Sequence, residues 1–177
     1  MQHDNLGDDG YTNTLKGDRV AKDSCYCEVL GDLDSLQASL GKAKLYLPEE
    51  HNICIEKIQR NLWQLAGEIS LGSTNQLIKQ PITEESLVEL DTWVMTLDKA
   101  LTKFQIFTSP RSVELNEARV RARKFERSLT AYLREKWIRP VAYQYVNRLS
   151  KYLFLLAVTL EEVDNCEQRP GARQEFR

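Results

Sequence analysis

Five cations, Arg119, Arg121, Arg123, Lys124 and Arg127, crowd into one short stretch of the chain. In a helix, Arg119, Arg123 and Arg127 share a face at successive i, i+4 steps, with Glu126 beside Arg123 at i+3. Like charges stacked this way repel by roughly a few tenths of a kcal/mol per pair, so the face calls for anionic compensation. Two sources fit. One is the chain's own Glu114, Glu117 and Glu126, which would make this an ordinary solvated face. The other is a polyphosphate, whose oxygens match planar guanidinium forks.

A second group lies near the start: Gly7-Asp8-Asp9-Gly10-Tyr11-Thr12, then Gly17, Arg19 and Lys22. Glycines and hydroxyls let a backbone wrap closely around phosphates, and Lys22 adds a point charge. The order G-x-x-x-x-G-K-[ST] and its preceding strand are missing, so this is not a P-loop. It reads as either a flexible leader or a binding loop. The third group, Tyr145-Val146-Asn147-Arg148-Leu149-Ser150, sets polar residues inside an apolar run, as an interhelical hydrogen-bond cluster or a ligand contact would. Metal chemistry has little to draw on. Cys25, Cys27, Cys54 and Cys166 lack C-x-x-C spacing, and His3 and His51 are the only histidines. No metal site is expected, and the thiols read as reduced.

The elements that must position these groups follow from periodicity. Residues 1–22 carry little apolar periodicity and read as irregular chain, neither helix nor strand. Over 23–47, Val29, Leu33, Leu36, Leu40, Ala43 and Leu47 recur at helical spacing, and Ile55, Ile58, Leu62, Leu65 and Ile69 do so after Pro48. Pro48 with Glu49 and Glu50 suits a helix's first turn. Residues 71–82 should form a loop. Thr83 then caps a third helix carrying Leu87, Leu90, Val94, Leu97 and Leu101. Pro110 interrupts the pattern, a fourth helix is expected from about 112 to 137, and Pro140 opens a fifth through Val146, Leu149, Leu153, Leu156 and Leu160. The fold class is therefore all-α, a five-helix bundle over 23–163 with an irregular N-terminal loop and a polar tail at 164–177.

Bulk composition narrows the function. The 177 residues suit one domain. With 24 Lys and Arg against 26 Asp and Glu, the net charge is −2, which argues against nucleic-acid binding through bulk charge. No apolar stretch approaches the roughly 20 residues of a membrane helix. The start of the sequence lacks the pattern of a signal peptide, so a cytoplasmic location is expected.

Taken together these segments resemble the PduO-type ATP:cob(I)alamin adenosyltransferases, from about Gly7 to Leu160. That family's G-D-x-G-x-T is matched by Gly7 to Thr12, and its G-x-R-x-x-K by Gly17, Arg19 and Lys22. Its Y-G-x-x-D-E-L resembles Leu30-Gly31-Asp32-Leu33-Asp34-Ser35-Leu36, and its I-Q-x-x-L resembles Ile58 to Leu62. Ala118 to Arg127 resembles its arginine helix, A-R-x-x-C-R-R-x-E-R, and Val146 to Lys151 its L-N-R-L-S-D. The sequence departs from the pattern at Asp4-Asn5-Leu6 (for Thr-Arg-Thr), Ser35 (for Glu), Pro110-Arg111-Ser112 (for Pro-Gly-Gly), Lys124 (for Arg) and Lys151 (for Asp).

The resemblance implies a homotrimer with active sites at subunit interfaces, using ATP, Mg²⁺ and cobalamin. Gly7, Asp8, Gly10, Thr12, Arg19, Lys22, Arg123, Lys124 and Arg127 would hold the triphosphate. Asn147 would contact the nucleotide. Asp34 and Arg119 would pair near the corrin across the interface, Glu126 would orient the arginines, and Phe107 would keep the cobalt free of a lower ligand. Co(I) would attack the ribose C5′ carbon, so the protein supplies cations and a dry pocket and no catalytic base. A corrinoid reductase or a B12-dependent enzyme is an implied partner. The departures motivate a second reading, a bundle that binds ATP or corrinoid without transferring adenosyl.

Overall fold

The computed structural model describes residues 7–71, 81–97 and 105–167. Five helices carry the fold: α1 Cys25–Lys44, α2 Glu49–Leu71, α3 Glu84–Leu97, α4 Pro110–Tyr132 and α5 Pro140–Glu167. The all-α bundle is thus as expected. Helix α4 packs between α1 and α5, α2 lies against α1, and α3 lies against α5. Every helix turns one apolar stripe inward, with Leu36, Leu40, Ile58, Leu62, Phe125, Val146 and Leu156 fully buried. On α4 that stripe includes Ala118 and Ala122, whose short side chains let two neighbouring helices approach closely. Among the described residues, no helix is long and apolar enough to cross a membrane. Cys25, Cys27, Cys54 and Cys166 are free thiols.

Polar clasps set the helices' relative positions. Gln37 Nε2 donates to the carbonyl of Gln59 at 2.9 Å, and Gln59 Nε2 returns the bond to the carbonyl of Gln37 at 3.2 Å. Asn61 reaches the Tyr145 hydroxyl at 3.1 Å. The Ile58 to Leu62 motif is therefore architectural: two core residues and three interhelical bonds. Arg139 pairs with the buried Glu68 of α2 and donates to the Ile82 carbonyl at 3.0 Å, tying together the start of α5, the end of α2 and the approach to α3.

The structure differs from the sequence reading at four places. Tyr11–Asn13 (β1) and Arg19–Ala21 (β2) pair as an antiparallel hairpin in register Tyr11↔Ala21, where irregular chain is expected. Three residues per strand are too few for alternation to show. Pro110 begins α4 instead of interrupting it, because Ser109 caps the helix and proline at N1 loses no hydrogen bond. That helix ends at Tyr132, five residues before the expected Trp137, and α5 continues through Asp164 to Glu167. Thr83 caps α3 as expected, its Oγ1 accepting from Ser86 N at 3.3 Å. Leu101 and most of the 71–82 loop lie outside the described residues.

Candidate active site

Helix α4 presents its cations along the flank left open by α1 and α5. Their partners divide them into two sets. Arg121 bonds Glu117 at 2.7 Å, and Lys124 bonds Asp32 of α1 at 2.7 Å. Glu114, the third acid available for charge balance, is taken by Lys42 of α1 at 2.7 Å. Arg123 and Arg127 are exposed and have no counter-ion among the described residues. The solvated-face reading therefore accounts for Arg121 and Lys124 and leaves the i, i+4 stripe uncompensated. Glu126 is half-buried beside it, with no partner for its carboxylate among the described residues.

Arg119 is turned toward an aromatic wall. Its Nε donates to Asn116 Oδ1 at 2.8 Å, and its guanidinium lies 6.0 Å from the ring centroid of Phe154 on α5. Phe154 meets Phe107 edge-on, with centroids 6.2 Å apart. Asn147, Phe154 and Glu161 sit seven residues apart on α5 and so share a face. Asn147 is exposed without a hydrogen-bond partner among the described residues. Its neighbours Tyr145 and Arg148 are spent on Asn61 and on Asp91 of α3. The polar run on α5 is thus mostly an interhelical cluster with one residue, Asn147, left over.

The Phe107 segment is pinned from α5. Glu161, 5% exposed, accepts from Thr108 N at 3.1 Å, from Thr108 Oγ1 and from Ser109 N at 3.0 Å. Burial alone would raise its pKa, but the bonds from Thr108 and Ser109 outweigh burial and bring it down to about 2. One turn further on, Asp164 takes Arg111 through two bonds, one of them Nε to Oδ2 at 2.8 Å. Arg111 stands where the resemblance has glycine, and this ion pair is its role.

The hairpin brings its own cations into order. Gly7 and Gly10 adopt φ of 110° and 83°. A Cβ on Gly7 would meet Lys22 Nζ at 3.1 Å and the Tyr11 carbonyl at 3.2 Å. Lys22 Nζ bonds the Gly7 carbonyl, and Arg19 pairs with Asp9 while lying 5.1 Å over the Tyr11 ring. Thr12 is half-buried and Asp8 exposed. The hairpin's polar bonds close within residues 7–24, and none among the described residues reaches the arginines of α4. Asp34 of α1 is likewise exposed, without an ion-pair partner among the described residues.

Single-sequence reasoning did not find Phe154, Glu161 or Asp164. The available signal for Phe154 and Glu161 was the seven-residue step from Asn147, and Asp164 had none. It also did not find Asp32, which is buried with Oδ1 on Lys124 and Oδ2 unpartnered.

Fold and site together define a helical bundle whose open flank combines guanidinium groups that have no counter-ion among the described residues with an aromatic wall of Phe107 and Phe154. The chain belongs to the cobalamin adenosyltransferase family, whose pattern it matches over residues 4–160. It is 31% identical over 160 residues to the cobalamin adenosyltransferase of Cupriavidus metallidurans, covering 87% of this chain and 84% of that protein. To the corrinoid adenosyltransferase PduO of Salmonella typhimurium it is 32% identical, covering 85% of this chain and 47% of that protein. Its fold is similar to that of a variant PduO-type ATP:corrinoid adenosyltransferase from Lactobacillus reuteri complexed with cobalamin and ATP, with a TM-score of 0.78 at 22% identity over 96% of this chain and 94% of that one.

Proposed function

We propose that the chain transfers the 5′-deoxyadenosyl group of ATP to cob(I)alamin, forming adenosylcobalamin and releasing triphosphate. The observation that carries this reading is the pair of exposed guanidinium groups, Arg123 and Arg127, without counter-ions among the described residues, beside the Arg119, Phe154 and Phe107 wall. Cob(I)alamin supplies the nucleophile: the cobalt electron pair forms the Co–C bond, and the C5′–O bond breaks with its electrons leaving on triphosphate. Negative charge grows on the leaving group, which is where preorganised cations lower the barrier. Arg123 and Arg127 take that role, Glu126 orients them, and Asn147 meets the nucleotide. Lys124 contributes from its place on Asp32.

Residues 1–22 act as the nucleotide loop, with Gly7, Asp8, Gly10 and Thr12 around the phosphates and Arg19 and Lys22 adding charge. Among the described residues the hairpin's polar bonds stay within 7–24, which suits a loop that meets its ligand at a subunit interface. We place it in a homotrimer, where Asp34 of one protomer approaches Arg119 of its partner. Mg²⁺ would enter with the triphosphate, as suits a hard cation that keeps several waters, and would offset part of its charge. Among the described residues, no three His, Cys, Asp or Glu side chains cluster to cage the ion. The aromatic wall of Phe107 and Phe154 excludes water from the corrin's lower face. The enzyme works in the cytoplasm and receives reduced corrinoid from a reductase.

An anaerobic assay with ATP, Mg²⁺ and chemically reduced cob(I)alamin tests this, with Co–C bond formation followed by absorbance. Adenosylcobalamin should form well above the protein-free rate and be lost in Arg123→Ala. ATP binding without turnover would replace this reading with the binding bundle.

A further inference from the structure

Glu161 has no part in the mechanism above, yet its carboxylate is the most heavily bonded acid near the site. Burying a carboxylate is costly unless its oxygens are satisfied, and here they take Thr108 N, Thr108 Oγ1 and Ser109 N. These donors precede helix α4. The first turn of α4 has its own cap, Ser109 Oγ, which accepts from Ser112 N. The bonds to Glu161 therefore act on the chain leading into the helix, and the residue next in line is Phe107. Phe154, one heptad before Glu161 on the same face of α5, is the ring that Phe107 meets. One helix thus holds both the ring's partner and the backbone that aims the ring.

We propose that Glu161 is a positioning residue of the transfer reaction: by holding Thr108 and Ser109 it fixes the Phe107 ring against Phe154 and keeps the wall beneath the corrin closed. This rests on the reading of Phe107 as the aromatic under the cobalt. Glutamine cannot substitute, because its amide group turns two hydrogens toward donors that need acceptors.

The test is a double-mutant cycle of Glu161→Gln with Phe107→Ala, read by kinetics, by the visible spectrum of bound cob(II)alamin in the presence of ATP, and by amide exchange of residues 108–109 in the unliganded protein. In Glu161→Gln, kcat should fall about 10- to 100-fold, the loss that ångström-scale misplacement produces, while KM for ATP stays within about twofold. The spectral signature of cobalt without a lower ligand should weaken, and exchange at 108–109 should quicken. In the Phe107→Ala background the second substitution should change kcat no further, since it acts through a ring already removed. Thr108→Ala, which removes one donor and leaves the amides, should show a smaller loss that also vanishes in that background. Additive losses, or an unchanged kcat and spectrum, overturn the inference while leaving the transferase reading in place. A wild-type chain that makes no adenosylcobalamin removes both, whatever the exchange data show.

Discussion

Arginines of α4 and of the approach to α5 do different work here because of the acid each one faces. Arg111 and Arg139 are consumed by Asp164 and Glu68, whereas Arg123 and Arg127 are exposed with no ion pair among the described residues. Replacing Arg123 by lysine keeps the charge and loses the planar fork. We expect adenosyl transfer in Arg123→Lys to fall by about tenfold or more, with thermal stability unchanged; full activity would reduce Arg123 to a point charge. Glu161 makes a pH prediction. Its ordinary value is 4.5 and its folded value about 2, so the unfolded chain takes up the proton first as pH falls. The stability it contributes is complete above the ordinary value and is lost between about pH 4.5 and 2, on the order of 3 kcal/mol. Urea unfolding at pH 5, 4 and 3 should therefore show a shallower loss in Glu161→Gln than in wild type. Parallel curves would contradict this.

At the scale of elements, the junction of α2, α3 and α5 depends on one buried ion pair. The Glu68 side chain is fully buried, and Arg139 supplies its counter-charge as well as a bond to the Ile82 carbonyl. Removing Arg139 alone strands a charge, and Arg139→Met should cost about 3–5 kcal/mol. The double variant Glu68→Met/Arg139→Met should recover most of that loss, since a buried pair and a well-packed apolar pair are of similar worth. A double variant as unstable as the single would show that the bond to Ile82 matters more than the charge. At the other end of the bundle, Ser109→Ala should lower stability by about 1 kcal/mol through loss of the α4 cap. This border shows where local reasoning stopped. Pro110 is compatible with ending one helix or starting another, and Ser109 decides in favour of a start.

At the scale of the whole molecule, no hydrogen bond or ion pair among the described residues of a single chain joins Asp34 or the hairpin cations to Arg119, Arg123 or Arg127. The proposed trimer brings them together from different protomers. Asp34→Ala and Arg119→Ala should each be inactive alone. Co-assembled in equal amounts, they should recover about a quarter of wild-type activity, because about that fraction of interfaces pairs two intact sides. No recovery in mixed assemblies of trimer mass would place both residues in one protomer's site, and a monomeric mass in sedimentation would remove the interface altogether.

The local pattern of the chain determined the five helices, their inward stripes and the arginine face, because 3.6-residue periodicity and stacked like charges are written in adjacent residues. Motif order was likewise sufficient to place the chain in its family. What only the tertiary structure decided was which charges remain available. Asp32, Glu68, Glu161 and Asp164 lie far along the chain from the cations and amides they hold, and nothing local to Lys124, Arg139, Thr108 or Arg111 announces them. An ion pair or a capped loop is a property of two surfaces meeting, and that meeting is set by how the helices pack.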